Sequence, residues 1–157
     1  MLGEIDRKLE AMGYPLDRIT KPGAIYQPVV VDGTTVYCAG AVPFDGERLT
    51  LVGKVPTKSG IAESQKAAAL CAANVLRNVR AAIGTLDKVD RILRVMGYVN
   101  SEPDFTEQHI VINGASQFLV DLFGPEKGIH ARTAVGMAAL PLGASVEIDM
   151  ILKLKHA

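Results

Sequence analysis

Apolar residues recur at two different periods along this chain, and the switches between the two mark its elements. Ile5, Leu9 and Met12 share one face of a helix predicted over residues 3–12. Residues 25–31 are rich in β-formers, and Asp32-Gly33 supplies a tight turn into a returning strand over 34–39. Asp45-Gly46 marks a second turn, before an alternating strand over 48–52. The clearest helical signal covers 61–83, where Ala69, Ala72, Leu76, Val79 and Ile83 recur at helical steps. That face is rich in alanine and can lie close on a sheet; Gly84 ends it. A long strand is predicted over 89–99. Ser101 and Asp104 are alternative N-caps for a second helix, whose inner face is Gln108, Val111, Ala115, Phe118 and Leu122. Gly124-Pro125 stops it. Strands over 131–139 and 145–154 follow, joined by a turn at Pro141-Leu142-Gly143.

The order is βββ-α-β-α-ββ after a short N-terminal helix, which predicts an α+β protein with two helices on one face of a mixed sheet. The 157 residues suffice for one domain, with residues 1–20 as an N-terminal extension. The second sheet face would be left partly bare. Its strands are apolar enough to expect packing against another subunit.

Composition narrows the function classes. Lys plus Arg and Asp plus Glu number 17 each, so no net field draws the chain toward nucleic acid or an acidic membrane. The opening MLGEIDRKLEAMGY lacks the apolar stretch of a signal peptide, and no apolar run is long enough to span a bilayer; the cytoplasm is the default expectation. Cys38 and Cys71 belong to no CxxC pair, and buried reduced thiols are expected; sequence alone leaves a disulfide between them open. No metal-ligand spacing occurs, so no metal is expected. His109, His130 and His156 have no obvious catalytic partners.

The densest unusual stretch is HARTAVG over 130–136, followed by ALPLGASVEI over 139–148. Arg132 opens a strand otherwise small and apolar, and Glu147 sits between Val146 and Ile148. Both could face solvent or form a structural ion pair. Alternatively, a guanidinium fork suits bidentate binding of a carboxylate, and a nearby carboxylate suits orienting a water or moving a proton. Hairpin arithmetic about Leu142 does not set Arg132 opposite Glu147, which leaves a diagonal meeting or one across subunits.

This stretch resembles the C-terminal signature of the RidA/YjgF family, also labelled endoribonuclease L-PSP or translation-initiation inhibitor. Arg132 and Glu147 match its Arg and Glu without a gap. Tyr26, placed before Gly40 as in the family, and Gly33, Asn74 and Asn113 agree in order, so the resemblance runs from about Ile25 to the C-terminus. ING-A-S, HARTAVG and ALPLGA are similar to a longer branch with an extra N-terminal segment.

The resemblance implies a chorismate-mutase-like fold, a homotrimer with clefts between subunits, and no cofactor. It implies hydrolytic deamination of reactive enamines and imines such as 2-aminoacrylate and 2-iminopropanoate, giving 2-keto acids and ammonia. Arg132 would grip the substrate carboxylate, helped by the Ala134 N–H. Glu147 would hold the attacking water, Tyr26 would line the cleft from the adjacent subunit, and Gly40 and Asn113 would complete the pocket. The chain departs from many active members at Ala39, Ala41 and His130, which alters the pocket wall. The alternative is a non-catalytic module that binds a 2-keto acid or other carboxylate in the same cleft. A ribonuclease fits less well, since there is no basic stripe and aromatics are few.

Overall fold

In the computed structural model, which describes residues 1–157, helix α2 spans Ile61–Ile83 and ends on Gly84 at φ 94°. Its Ala67, Ala68, Cys71, Ala72, Val75 and Leu76 are buried against the sheet, as the small-residue face requires. Helix α3 spans Gln108–Phe123 beside it. Gly114 permits the close approach: a β-carbon there would stand 2.0 Å from the Gln65 carbonyl oxygen. The N-cap is Glu107, not Ser101 or Asp104. Ser101 is occupied elsewhere, its hydroxyl donating to the Val99 carbonyl.

The sheet has order β1-β2-β7-β5-β6, from strands β1 (Val29–Asp32), β2 (Thr35–Ala41), β5 (Val89–Asn100), β6 (Ala131–Met137) and β7 (Val146–Leu154). Only β5 and β6 run parallel. Strands β3 (Phe44–Asp45) and β4 (Arg48–Leu49) form a separate small ribbon. The expected 48–52 strand is cut short because Val52 instead bridges Ala144. The first strand also starts later than expected. Pro28 has no N–H to extend the ladder, and residues 25–27 are exposed.

One connection differs in kind. Strands β6 and β7 do not form a hairpin, because β5 lies between them. The parallel β5-α3-β6 unit places β6 on the sheet edge, and the chain must cross β5 to reach β7. A 3-10 turn at Pro141–Gly143 makes that crossing, with Leu142 at φ 60°.

Both large helices cover one sheet face, so the fold is α+β with its core between them. On the other face Val30, Tyr37 and Met137 stand exposed. Helix α1 (Glu4–Ala11) is tied down by Asp6, whose buried carboxylate accepts from the Gly3 and Leu86 amides and pairs with Arg80 at 3.4 Å. Asn74 is structural: its amide donates to the Val42 and Phe44 carbonyls and accepts from buried Arg77. Both cysteines are free and buried. No helix is long and apolar enough to cross a membrane.

Candidate functional site

The six residues singled out above fall into two groups, on opposite faces of the sheet. Register assigns the faces. Arg132 pairs with Val95, which is buried beneath the helices. Glu147 pairs with Tyr98, three residues further along β5 and so on the other face. Within one protomer Arg132 and Glu147 are therefore separated by β5 and form no ion pair.

Arg132 leans from the edge strand onto α3. Its Nη1 donates to Asn113 Oδ1 at 2.8 Å and to Ser116 Oγ at 3.1 Å, and its Nη2 donates to the His109 carbonyl at 3.2 Å. Residues 109, 113 and 116 are spaced to line one side of a helix, which is why one guanidinium reaches all three. Three of five N–H donors are thus held, leaving Nε–H and one Nη2–H for a ligand. Partial burial lowers the Arg132 pKa, but the group stays a cation. Ala134 is two residues along on the same edge strand, where alternate backbone groups lack a strand partner.

Glu147, Gly40 and Tyr26 line one cavity of about 600 Å³, with Phe44 and Leu142 among its apolar walls. Gly40 lies where the β2–β7 register shifts, and a β-carbon there would stand 2.6 Å from Glu147 Oε1. Burial, and secondarily the charge of Asp149, raise the Glu147 pKa above the usual carboxylate range. Asp149 accepts from the Tyr98 hydroxyl at 2.7 Å, and burial with this bond pushes the Tyr98 pKa up to about 12. Leu142 holds a left-handed backbone, rare for a leucine, with its side chain exposed at the cavity. The crossing is anchored by Lys54, whose ammonium donates to Asn100 Oδ1 at 3.1 Å and to the Ala138 carbonyl.

Sequence reasoning missed Ser116, which contacts Arg132 directly, and Tyr98, whose hydroxyl holds the Asp149 carboxylate near Glu147. A serine on the Asn113 side of α3 was the available signal for Ser116. Tyr98 gave none, since a tyrosine in a strand is ordinary packing.

The family model described as endoribonuclease L-PSP matches residues 16–153. Protein TCP17 of Trypanosoma cruzi is 37% identical over 154 residues, covering 98% of this chain and 96% of that one. The crystal structure of Atu1372 from Agrobacterium tumefaciens, a protein of unknown function, superposes with a TM-score of 0.88 at 41% identity. It covers 96% of this chain and 92% of that one. A further structure, Escherichia coli TdcF with bound serine, matches with a TM-score of 0.62 at 20% identity, covering 87% and 93%.

Proposed function

This chain belongs to the endoribonuclease L-PSP family, and on that premise we propose that it hydrolyses reactive imines and enamines of amino acids to 2-keto acids and ammonia. The observation that carries the reading is the state of Arg132, a cation held by three α3 acceptors with two donors unspent beside an open strand edge. That is a carboxylate receptor. The serine bound in TdcF is a small amino acid with such a carboxylate.

The separation of Arg132 from Glu147 supports a site shared between subunits of a homotrimer. One subunit supplies Arg132, Ala134 and Asn113; its neighbour supplies Tyr26, Gly40 and Glu147. Exposed Val30, Tyr37 and Met137 give the bare face an apolar surface to bury on assembly. The chemistry then needs little. The substrate carboxylate binds Arg132 and the Ala134 N–H. A water hydrogen-bonded to Glu147 attacks the imine carbon as its proton passes to the carboxylate. That proton passes on to the nitrogen, giving a neutral carbinolamine; Glu147 then takes the hydroxyl proton and delivers it to the amine, which leaves as ammonia while the C=O bond forms. An imine is already electrophilic, so positioning and one proton carrier suffice. No cofactor takes part.

Subunit complementation tests both parts. Arg132→Ala and Glu147→Gln are each expected to lack ammonia release from imino acids generated in situ by an amino-acid oxidase. Co-refolded, the two variants should regain about a quarter of wild-type activity, since a mixed cyclic trimer restores one of its sites. No recovery in verified mixed trimers would place both residues in one subunit's site. A wild-type trimer that binds pyruvate but releases no ammonia would instead make the protein a carboxylate-binding module.

A further inference from the structure

The ring of His130 touches Arg132 through one hydroxyl, and the polarity of that chain is fixed at both ends. Its Nδ1 lies 2.7 Å from the Gly128 carbonyl oxygen, which can only accept, so Nδ1 carries a proton. Its Nε2 lies 2.9 Å from Ser116 Oγ. The same oxygen receives Nη1 of Arg132 at 3.1 Å, and a guanidinium can only donate. With the ring neutral, Nε2 accepts the Ser116 proton and leaves a serine lone pair aimed at Arg132. The ring is half-buried. Burial and, less strongly, the Arg132 charge favour the neutral form, against the Gly128 carbonyl.

We propose that His130 is a positioning residue for Arg132. By accepting the Ser116 proton it sets the hydroxyl rotor, and the fixed oxygen then holds Nη1 so that the unspent donors face the ligand. Without that acceptor the hydroxyl is free to turn its proton toward the guanidinium, and one of three restraints on the fork is lost. Asn113 Oδ1 and the His109 carbonyl remain, so the effect is a loosened grip, not its abolition. The inference rests on the reading of Arg132 as the carboxylate receptor.

Two measurements on the full-length protein test it. Long-range ¹H–¹⁵N NMR of the wild type at pH 7.5 is expected to show His130 neutral with the proton on Nδ1. A proton on Nε2 overturns the proposal and requires no variant to fold. Pyruvate binding by calorimetry is the second. His130→Ala should weaken it about 3- to 10-fold, the range of one neutral hydrogen bond. His130→Gln, which offers an amide oxygen to Ser116, should recover most of the loss, whereas the loss of a merely structural histidine would not be rescued by it. Equal losses in the two variants, or none in either, overturn the positioning role. Arg132→Ala separates the levels: if it abolishes pyruvate binding while His130→Ala binds normally, only this inference falls. If Arg132→Ala still binds pyruvate, the receptor reading beneath it falls.

Discussion

A β-carbon on residue 40 would stand 2.6 Å from Glu147 Oε1, so the Glu147 carboxylate occupies space that only a glycine leaves open. The contact is with the far end of a side chain, which can move. Gly40→Ala is therefore expected to fold normally and to displace the carboxylate. Misplacing a catalytic group by about an ångström costs on the order of 100-fold in rate. Deaminase kinetics beside a thermal melt check this. Wild-type kcat in a well-folded variant would mean that Glu147 holds no reacting water.

Glu147 also links activity to stability with opposite signs. Its native pKa is raised by burial first and by Asp149 second. The folded protein thus binds this proton more tightly than the unfolded chain. The associated stability is full below the unfolded pKa and is lost as pH rises through the native one. Glu147→Gln removes that penalty, so its melting temperature at pH 7.5 should exceed the wild type's, while kcat falls roughly 10²- to 10⁴-fold. Wild-type activity should decline on acidification before an ordinary glutamate titrates. A pH–rate profile and melts of both proteins read these effects. A lower melting temperature for the glutamine variant would contradict the assignment.

The parts of this molecule that were legible from sequence are those set by local periodicity. The helix over Ile61–Ile83 declares itself through its alanine face and closing glycine, and its observed bounds match. What escaped was decided by pairing at a distance. The Pro141–Gly143 turn reads as a hairpin only until β5 is inserted between β6 and β7, and no local signal reports that. The same insertion separates Arg132 from Glu147, so the sequence brings both residues to attention but cannot say that one protomer keeps them apart. His130 looked isolated because Ser116 reaches its ring only once α3 lies along β6, and a backbone carbonyl two residues away, that of Gly128, leaves no mark in a sequence.

Helix α1 is fastened by a charge, which makes it sensitive to acid. Burial works to raise the Asp6 pKa, but the Leu86 and Gly3 amides, Thr85 and the Arg80 charge outweigh it and hold it below the ordinary value. A depressed native pKa contributes stability above the unfolded pKa, and that contribution is lost as pH falls through the native one. Asp6→Ala leaves the Leu86 N–H and buried Arg80 Nε facing a void, and should cost about 3 kcal/mol of unfolding free energy at pH 7. Urea unfolding of both proteins should show the gap narrowing toward low pH. A gap that is constant with pH would mean that packing, not charge, holds helix α1.

Arg132→Lys asks whether the site needs a fork or merely a cation. Lysine keeps the charge but presents a compact donor on a flexible stem, and it cannot reach Asn113, Ser116 and the His109 carbonyl while offering two parallel donors outward. Charge-assisted hydrogen bonds are worth about 1.5–3 kcal/mol each. Losing one or two should lower kcat/KM by on the order of 10- to 1,000-fold, at about 1.36 kcal/mol per decade. The fold should survive, because Arg132 is only partly buried and contacts one exposed side of α3. Kinetics, circular dichroism and sedimentation on one preparation decide the matter. A well-folded Arg132→Lys assembly with wild-type kcat/KM would make the guanidinium a strut between β6 and α3. Loss of activity without loss of assembly would leave its bidentate geometry as the remaining cause.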